Sequence, residues 1–198
     1  MENRGENKFY YHNIYISETF HKRERFMSIS VSDIDNDSDN DIIVASMDRD
    51  YYALFINKGD QTFDRKIVSD DENYTNGANF VLFNDLDQDG DLDIVAASKN
   101  SNLYLWFENK GDLEFVPHNI TNTYKYSHYA KWLDVGDADN DGDLDLVATS
   151  PEIDRFFWLR NDGNQNFEIL DVENDNSYTE SSYMVKFFDK DNDGDLDI

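Results

Sequence analysis

Nine-residue acidic segments begin at Asp33, Asp85, Asp137 and Asp189, each 52 residues after the one before. Other landmarks keep the same step: Asn57, Asn109 and Asn161; Gly59, Gly111 and Gly163; Phe63, Phe115 and Phe167; Tyr74, Tyr126 and Tyr178. A shared period across so many positions makes this a repeat protein, in which one supersecondary unit recurs and stacks on its neighbours.

Within a period, four short apolar runs alternate with turn signals. In the third repeat, residues 129–135 read as strand A, and the acidic loop 137–145 follows. Residues 146–149 read as strand B, and the break at Pro151-Glu152-Ile153-Asp154 precedes strand C at 156–159. Asn161-Asp162-Gly163-Asn164 is a tight-turn sequence, because Asn and Gly tolerate positive φ. Strand D runs from Phe167 to about Val172. No stretch has helical period and length, so the expected class is all-β. Four antiparallel strands in a unit of this size match one blade of a β-propeller. Up-and-down pairing then puts the acidic A–B loops and the C–D turns on one face, and the B–C and D–A loops on the other.

The whole of 1–198 reads as one propeller segment, with repeat loops at 33–41, 85–93, 137–145 and 189–197. Residues 2–9 match 108–115, so the first strand pair is the end of a C and a D. The last residue, Ile198, falls just inside a strand B. We expect a piece of a longer propeller; a four-bladed ring with an incomplete blade, or two paired chains, are the alternatives.

The loops read Asp-x-Asp-x-Asp-Gly-Asp-Leu-Asp in three of four cases; the first has Ser38 in place of Gly and Asn40 in place of Leu. Ca²⁺ takes six to eight oxygens at about 2.3–2.6 Å, and Mg²⁺ prefers a smaller, water-rich octahedron. Carboxylates at positions 1, 3 and 5 converge when the backbone curls, and glycine at position 6 (Gly90, Gly142, Gly194) permits the sharp turn. The position-7 carbonyl is the natural next ligand, and the position-9 Asp closes the shell. The expected ligand residues are therefore Asp33, Asp35, Asp37, Asp39 and Asp41; Asp85, Asp87, Asp89, Asp91 and Asp93; Asp137, Asp139, Asp141, Asp143 and Asp145; and Asp189, Asp191, Asp193, Asp195 and Asp197. That makes about four Ca²⁺ sites, one per loop. An EF-hand would need flanking helices and Glu at position 12, where this chain has Val44, Ala96 and Ala148. One such loop alone reads as an acidic turn on a solvated face; four in identical strand context read as cation sites.

The motif Asp-x-Asp-x-Asp-Gly-Asp-Leu-Asp, followed by Leu105-Trp106-Phe107-Glu108-Asn109-Lys110-Gly111 or Phe157-Trp158-Leu159-Arg160-Asn161-Asp162-Gly163, resembles the FG-GAP/VCBS repeat, which is related to the propeller of integrin α subunits. The resemblance covers nearly the whole chain. It implies a propeller, often seven-bladed, with Ca²⁺ in the A–B loops through positions 1, 3, 5, 7 and 9, and an extracellular or cell-surface setting. Ser38 departs from the motif, which makes the first loop the weakest site.

Twenty of the 43 acidic residues sit in the four loops, and the remaining 23 against 17 basic residues leave −6 of the formal net charge of −26. Such a surface repels nucleic acid and anionic lipid. At 15% aromatic the chain has material for a core, unlike disordered acidic chains. There is no cysteine, no run of about 18 apolar residues and no apolar leader in the first residues. The four histidines share no metal-binding spacing, and no phosphate loop occurs, so no catalytic residue is expected.

The opposite face carries the candidate ligand residues Tyr74, Tyr126, Tyr178, His128, Lys99 and Arg49, although a periodic Tyr serves equally for packing between blades. The expected role is a non-enzymatic binding or adhesion module for a protein or glycan. The alternative is the propeller segment of a secreted carbohydrate-active or other hydrolytic enzyme.

Overall fold

A computed structural model describes residues 2–3, 9–10, 25–60, 62–121, 124–172 and 183–198. It contains three four-stranded antiparallel sheets. The first is β3 (Phe26–Ser32), β4 (Asp41–Ser46), β5 (Tyr51–Asn57) and β6 (Phe63–Ser69). The second is β7 (Ala78–Asn84), β8 (Asp93–Ser98), β9 (Leu103–Asn109) and β10 (Phe115–Asn119). The third is β11 (Trp132–Gly136), β12 (Asp145–Ser150), β13 (Arg155–Asn161) and β14 (Phe167–Asp171). Every strand pairs with its sequence neighbour, so each sheet is an up-and-down blade with strands A to D in chain order. The fold is that of a β-propeller, and the described blades do not close into a ring.

Ahead of them, β1 (Glu2–Asn3) pairs with β2 (Phe9–Tyr10) in the register Asn3↔Phe9. The C–D hairpins of the full blades repeat it as Asn57↔Phe63, Asn109↔Phe115 and Asn161↔Phe167. The last A–B loop is closed by a single antiparallel bridge, Phe188↔Asp197.

Two details depart from the expected strands. The D–A connections contain single helical turns, α1 (Glu72–Thr75) and α2 (Tyr124–Ser127). In the third blade α2 and the left-handed Tyr129 (φ 62°) use up the residues before Trp132, so strand A starts three residues later than its apolar pattern predicts.

Central strands are buried from end to end: Asp93–Ser98 and Asp145–Ser150 have no exposed residue. Blades stacked on both faces demand this, and it explains why strand B reads as a continuous apolar run rather than an alternating one. Ile43, Tyr52 and Leu54 of the first blade pack on Val81, Ile94, Leu105 and Phe107 of the second. One period on, Val95, Tyr104 and Trp106 pack on Leu133, Leu146, Phe157 and Leu159.

Polar pins cross the same seams. The Tyr52 hydroxyl donates to Ala97 O (2.9 Å) and lies 2.7 Å from Ser98 Oγ. Tyr104, one period later, donates to Thr149 O (2.5 Å). On the inner strands Ser28 Oγ donates to Val81 O, and Phe83 N donates to Ser30 Oγ.

Candidate metal centre

Each acidic loop links strand A to strand B, and its curl is set by two left-handed residues. At position 4, Asn36, Gln88, Asn140 and Asn192 have φ between 58° and 61°. At position 6, Gly90, Gly142 and Gly194 have φ of 97–99°, and a Cβ there would meet nothing within 4 Å. Glycine is needed at position 6 for its backbone freedom alone. Ser38 takes the same place at φ 77°.

The curl turns the position-1 carboxylate inward. Oδ2 of Asp85, Asp137 and Asp189 accepts the N–H of Gly90, Gly142 and Gly194, each at 3.1 Å. The other oxygen, Oδ1, is buried in all three and has no hydrogen-bond partner. A buried anionic oxygen without a donor is costly. Loop one differs: Asp33 Oδ1 accepts Asp37 N (3.1 Å) and Oδ2 accepts Ser38 N (2.8 Å), so both oxygens are engaged.

Carboxylate oxygens gather within 4.8 Å of one another in every loop: Asp33, Asp35 and Asp37; Asp85, Asp87 and Asp93; Asp137, Asp139 and Asp141; Asp189, Asp191 and Asp197. Position 5 also braces the turn, as Asp37, Asp89, Asp141 and Asp193 each accept the N–H two residues on.

Position 9 has a second job. Asp41, Asp93 and Asp145 are fully buried at the start of strand B. Asp93 accepts Leu86 N (3.0 Å) on one oxygen and Asn109 N (2.8 Å) on the other. Asp41 does the same with Ile34 and Asn57, and Asp145 with Ala138 and Asn161. This carboxylate therefore ties the loop to the end of strand C whatever else it binds. The indole N–H groups of Trp106 and Trp158 lie beside Asp93 and Asp145, short of hydrogen-bond geometry.

At position 7 the carboxylates leave the cluster. In loops one and three, Oδ2 of Asp39 and Asp143 lies 2.7 Å and 2.5 Å from where a Cβ on Gly59 or Gly163 would sit, against the C–D turn. What position 7 can offer a cation there is its carbonyl.

Burial first, and neighbouring carboxylates second, raise the pKa of several loop aspartates. Burial, then Asp41 and Asp37, raises Asp35; burial, then Asp89, raises Asp87. Burial pushes Asp93 up to about 6 and raises Asp145. A cation in the cluster relieves both the lost hydration and the repulsion, and it supplies the partner that Oδ1 of position 1 lacks. The residues present fit a hard, oxygen-seeking cation.

Asn57, Asn109 and Asn161 belong to this unit too, although their periodicity alone marked them only as turn residues. Besides donating N–H to position 9, each donates Nδ2 to the position-8 carbonyl, on Asn40, Leu92 and Leu144. Neighbouring loops also touch: Gln88 Nε2 donates to Gly142 O (2.6 Å), and Asn140 Nδ2 to Asp195 Oδ1 (2.5 Å).

The other face separates the remaining candidates. Tyr74 and Tyr126 are half-buried against the inter-blade cores, so packing accounts for them. Arg49 is exposed, Lys99 lies over the Tyr129 ring, and His128 meets the edge of that ring. Tyr178 lies outside the described residues.

Four-stranded blades whose A–B loops each gather several Asp carboxylates define a propeller with acidic loops. The chain belongs to the FG-GAP-like repeat family, whose model matches residues 85–148 and 137–198, more than half of it. Among solved structures, a lectin of Agrocybe aegerita, described as specifically recognising non-reducing terminal N-acetylglucosamine, superposes with TM-score 0.52 at 21% identity, over 72% of this chain and 38% of the lectin. A protein from Lactobacillus plantarum gives 0.47 at 10% identity, over 75% of this chain and 42% of that one. The chain thus spans well under half of each of these proteins. No curated protein matches it. No helix among the described residues is long and apolar enough to cross a membrane.

Proposed function

We propose that this is a calcium-stabilised propeller module, non-enzymatic and extracellular, which presents its B–C and D–A loops to a protein or glycan partner. The observation that carries the metal reading is the buried, unpartnered Oδ1 of Asp85, Asp137 and Asp189, repeated at one place in three loops. Ca²⁺ fits because the loops offer only oxygen and supply several carboxylates to one point. Residues at positions 1, 3, 5 and 9 and the position-7 carbonyl would hold the ion, whose chemistry here is charge neutralisation and cross-linking of strands A and B. A family best known outside the cell, and a fold also used by a sugar-recognising lectin, support the setting and the partner class.

The test is a melting curve with 1 mM CaCl₂ and with EDTA, together with metal analysis of the dialysed protein. Calcium binding to the folded loops raises Tm, and about 2.7 kcal/mol follows for each site at a free concentration 100 times its Kd. Coincident curves with and without chelator would refute the reading.

A further inference from the structure

We propose that Lys99, Lys131, Tyr129 and Tyr183 form a site for a sugar residue bearing a single carboxylate, on the face opposite the acidic loops. This names a ligand class for the face described above and rests on that reading.

The first observation is a strained tyrosine. Tyr129 occupies the left-handed region (φ 62°) at a position where the preceding repeat has Gly77 (φ 70°). The two turns are otherwise alike: Gly77 N donates to Asp50 Oδ1 (2.6 Å) and Tyr129 N to Asn102 Oδ1 (2.9 Å). A side chain in this conformation is strained where glycine is not. Core packing does not offset it, because Tyr129 is outside the inter-blade clusters. Among the described residues, the ring meets the ammonium of Lys99, 4.2 Å from the centroid, and the edge of His128.

The second observation is charge. Lys131 Nζ lies 4.1 Å from the centroid of Tyr183, whose ring is exposed. Lys131 has its pKa lowered by burial first and by the charge of Lys99 second, so the two ammonium groups repel each other. Neither has a carboxylate partner among the described residues, in a chain with 43 acidic side chains against 17 basic. Two neighbouring uncompensated cations, each lying over its own aromatic ring, favour an anion.

The chemistry narrows the anion. Aromatic rings beside the charges suit a ligand with an apolar face, such as the C–H face of a pyranose. Among the described residues no arginine fork lies at the site, so the lysines act as point charges, and the −26 net charge favours a singly charged carboxylate over a doubly charged phosphate. The net charge of −26 opposes a polyanion, so the fit is to one acidic residue on an otherwise neutral glycan.

The experiment is a ligand-observed NMR titration of the calcium-loaded chain with D-glucuronic acid, against glucose, inorganic phosphate and a glutamate-rich peptide. Glucuronic acid should bind at least tenfold more tightly than the other three. Lys99→Ala and Lys131→Ala should each weaken it several-fold. Tyr129→Gly should keep or raise Tm while losing binding, which separates recognition from folding. Equal binding of glucose, phosphate or peptide, no binding of glucuronic acid, or unchanged affinity in Tyr129→Gly would each overturn the proposal. Those failures leave the calcium-dependent Tm in place, whereas loss of that Tm shift would remove the reading on which this one rests.

Discussion

In the second loop one aspartate answers to two demands, and its two roles come apart under chelation. Asp93 satisfies two buried backbone donors and also faces Asp85 and Asp87. Asp93→Ala should therefore destabilise the protein even in EDTA, by about 2–4 kcal/mol, since each orphaned buried N–H costs about 1–3 kcal/mol. Asp89→Ala, at an exposed position whose oxygen braces only its own turn, should change stability in EDTA by no more than about 1 kcal/mol. In calcium it should lower the ion count. Denaturant melts of both variants with and without chelator make the comparison; equal losses in EDTA would dismiss the structural role of position 9. The metal-free protein should also carry a pH signature. Burial holds Asp93 at about 6, above its unfolded value, so its contribution is present at low pH and is lost as pH rises from about 4 through 6. Chelated protein should thus melt higher near pH 4.5 than at pH 7 as far as these carboxylates decide it. Calcium should reverse the trend, because ion binding needs them deprotonated.

Blades are joined by side chains that recur at the period and by one that does not. Tyr52 and Tyr104 each pin the next blade through a buried hydroxyl, and the third blade has Phe156 in the same place. Removing the Tyr104 hydroxyl leaves Thr149 O with one donor, Lys131 N (3.2 Å), in place of two, at about 1 kcal/mol. Tyr104→Phe should lower Tm by a few degrees, at about 2–4 °C per kcal/mol for a chain of this size. An unchanged Tm would show that the Lys131 N–H alone satisfies Thr149 O. The seams at the loops are polar instead, as Gln88 reaches Gly142 and Asn140 reaches Asp195. Gln88→Ala should leave the second loop its ligands yet weaken calcium binding at the third, which isothermal titration of the variant would show as one altered site.

Across the molecule the acid is an electrostatic load that bound cations would share out. Four divalent ions would offset eight of the 26 net negative charges, and they would do so where the carboxylates are closest. Screening should then replace part of the ions' work. Raising NaCl from about 0.1 M to 1 M shortens the Debye length from about 10 Å to 3 Å. It should raise the Tm of the chelated protein more than that of the calcium-loaded protein. A larger salt effect on the loaded form would contradict the picture.

Much of this was legible in the residues alone, and for definite reasons. A period of 52 with turn residues at fixed offsets dictates identical blades, because each copy meets the same neighbours. Asp at alternate loop positions favours convergence, because a tight curl sends most of these side chains inward, position 7 excepted. Ser38 marked the first loop as different, and there both oxygens of Asp33 are already engaged. The tertiary structure decided what depends on partners distant in the chain. It turned Tyr74 and Tyr126 into the seams, gave position 9 its hold on strand C, and set Lys99 beside Tyr129 and within electrostatic reach of Lys131. Periodicity names which residues are equivalent; only packing between successive blades determines which of their surfaces water still reaches.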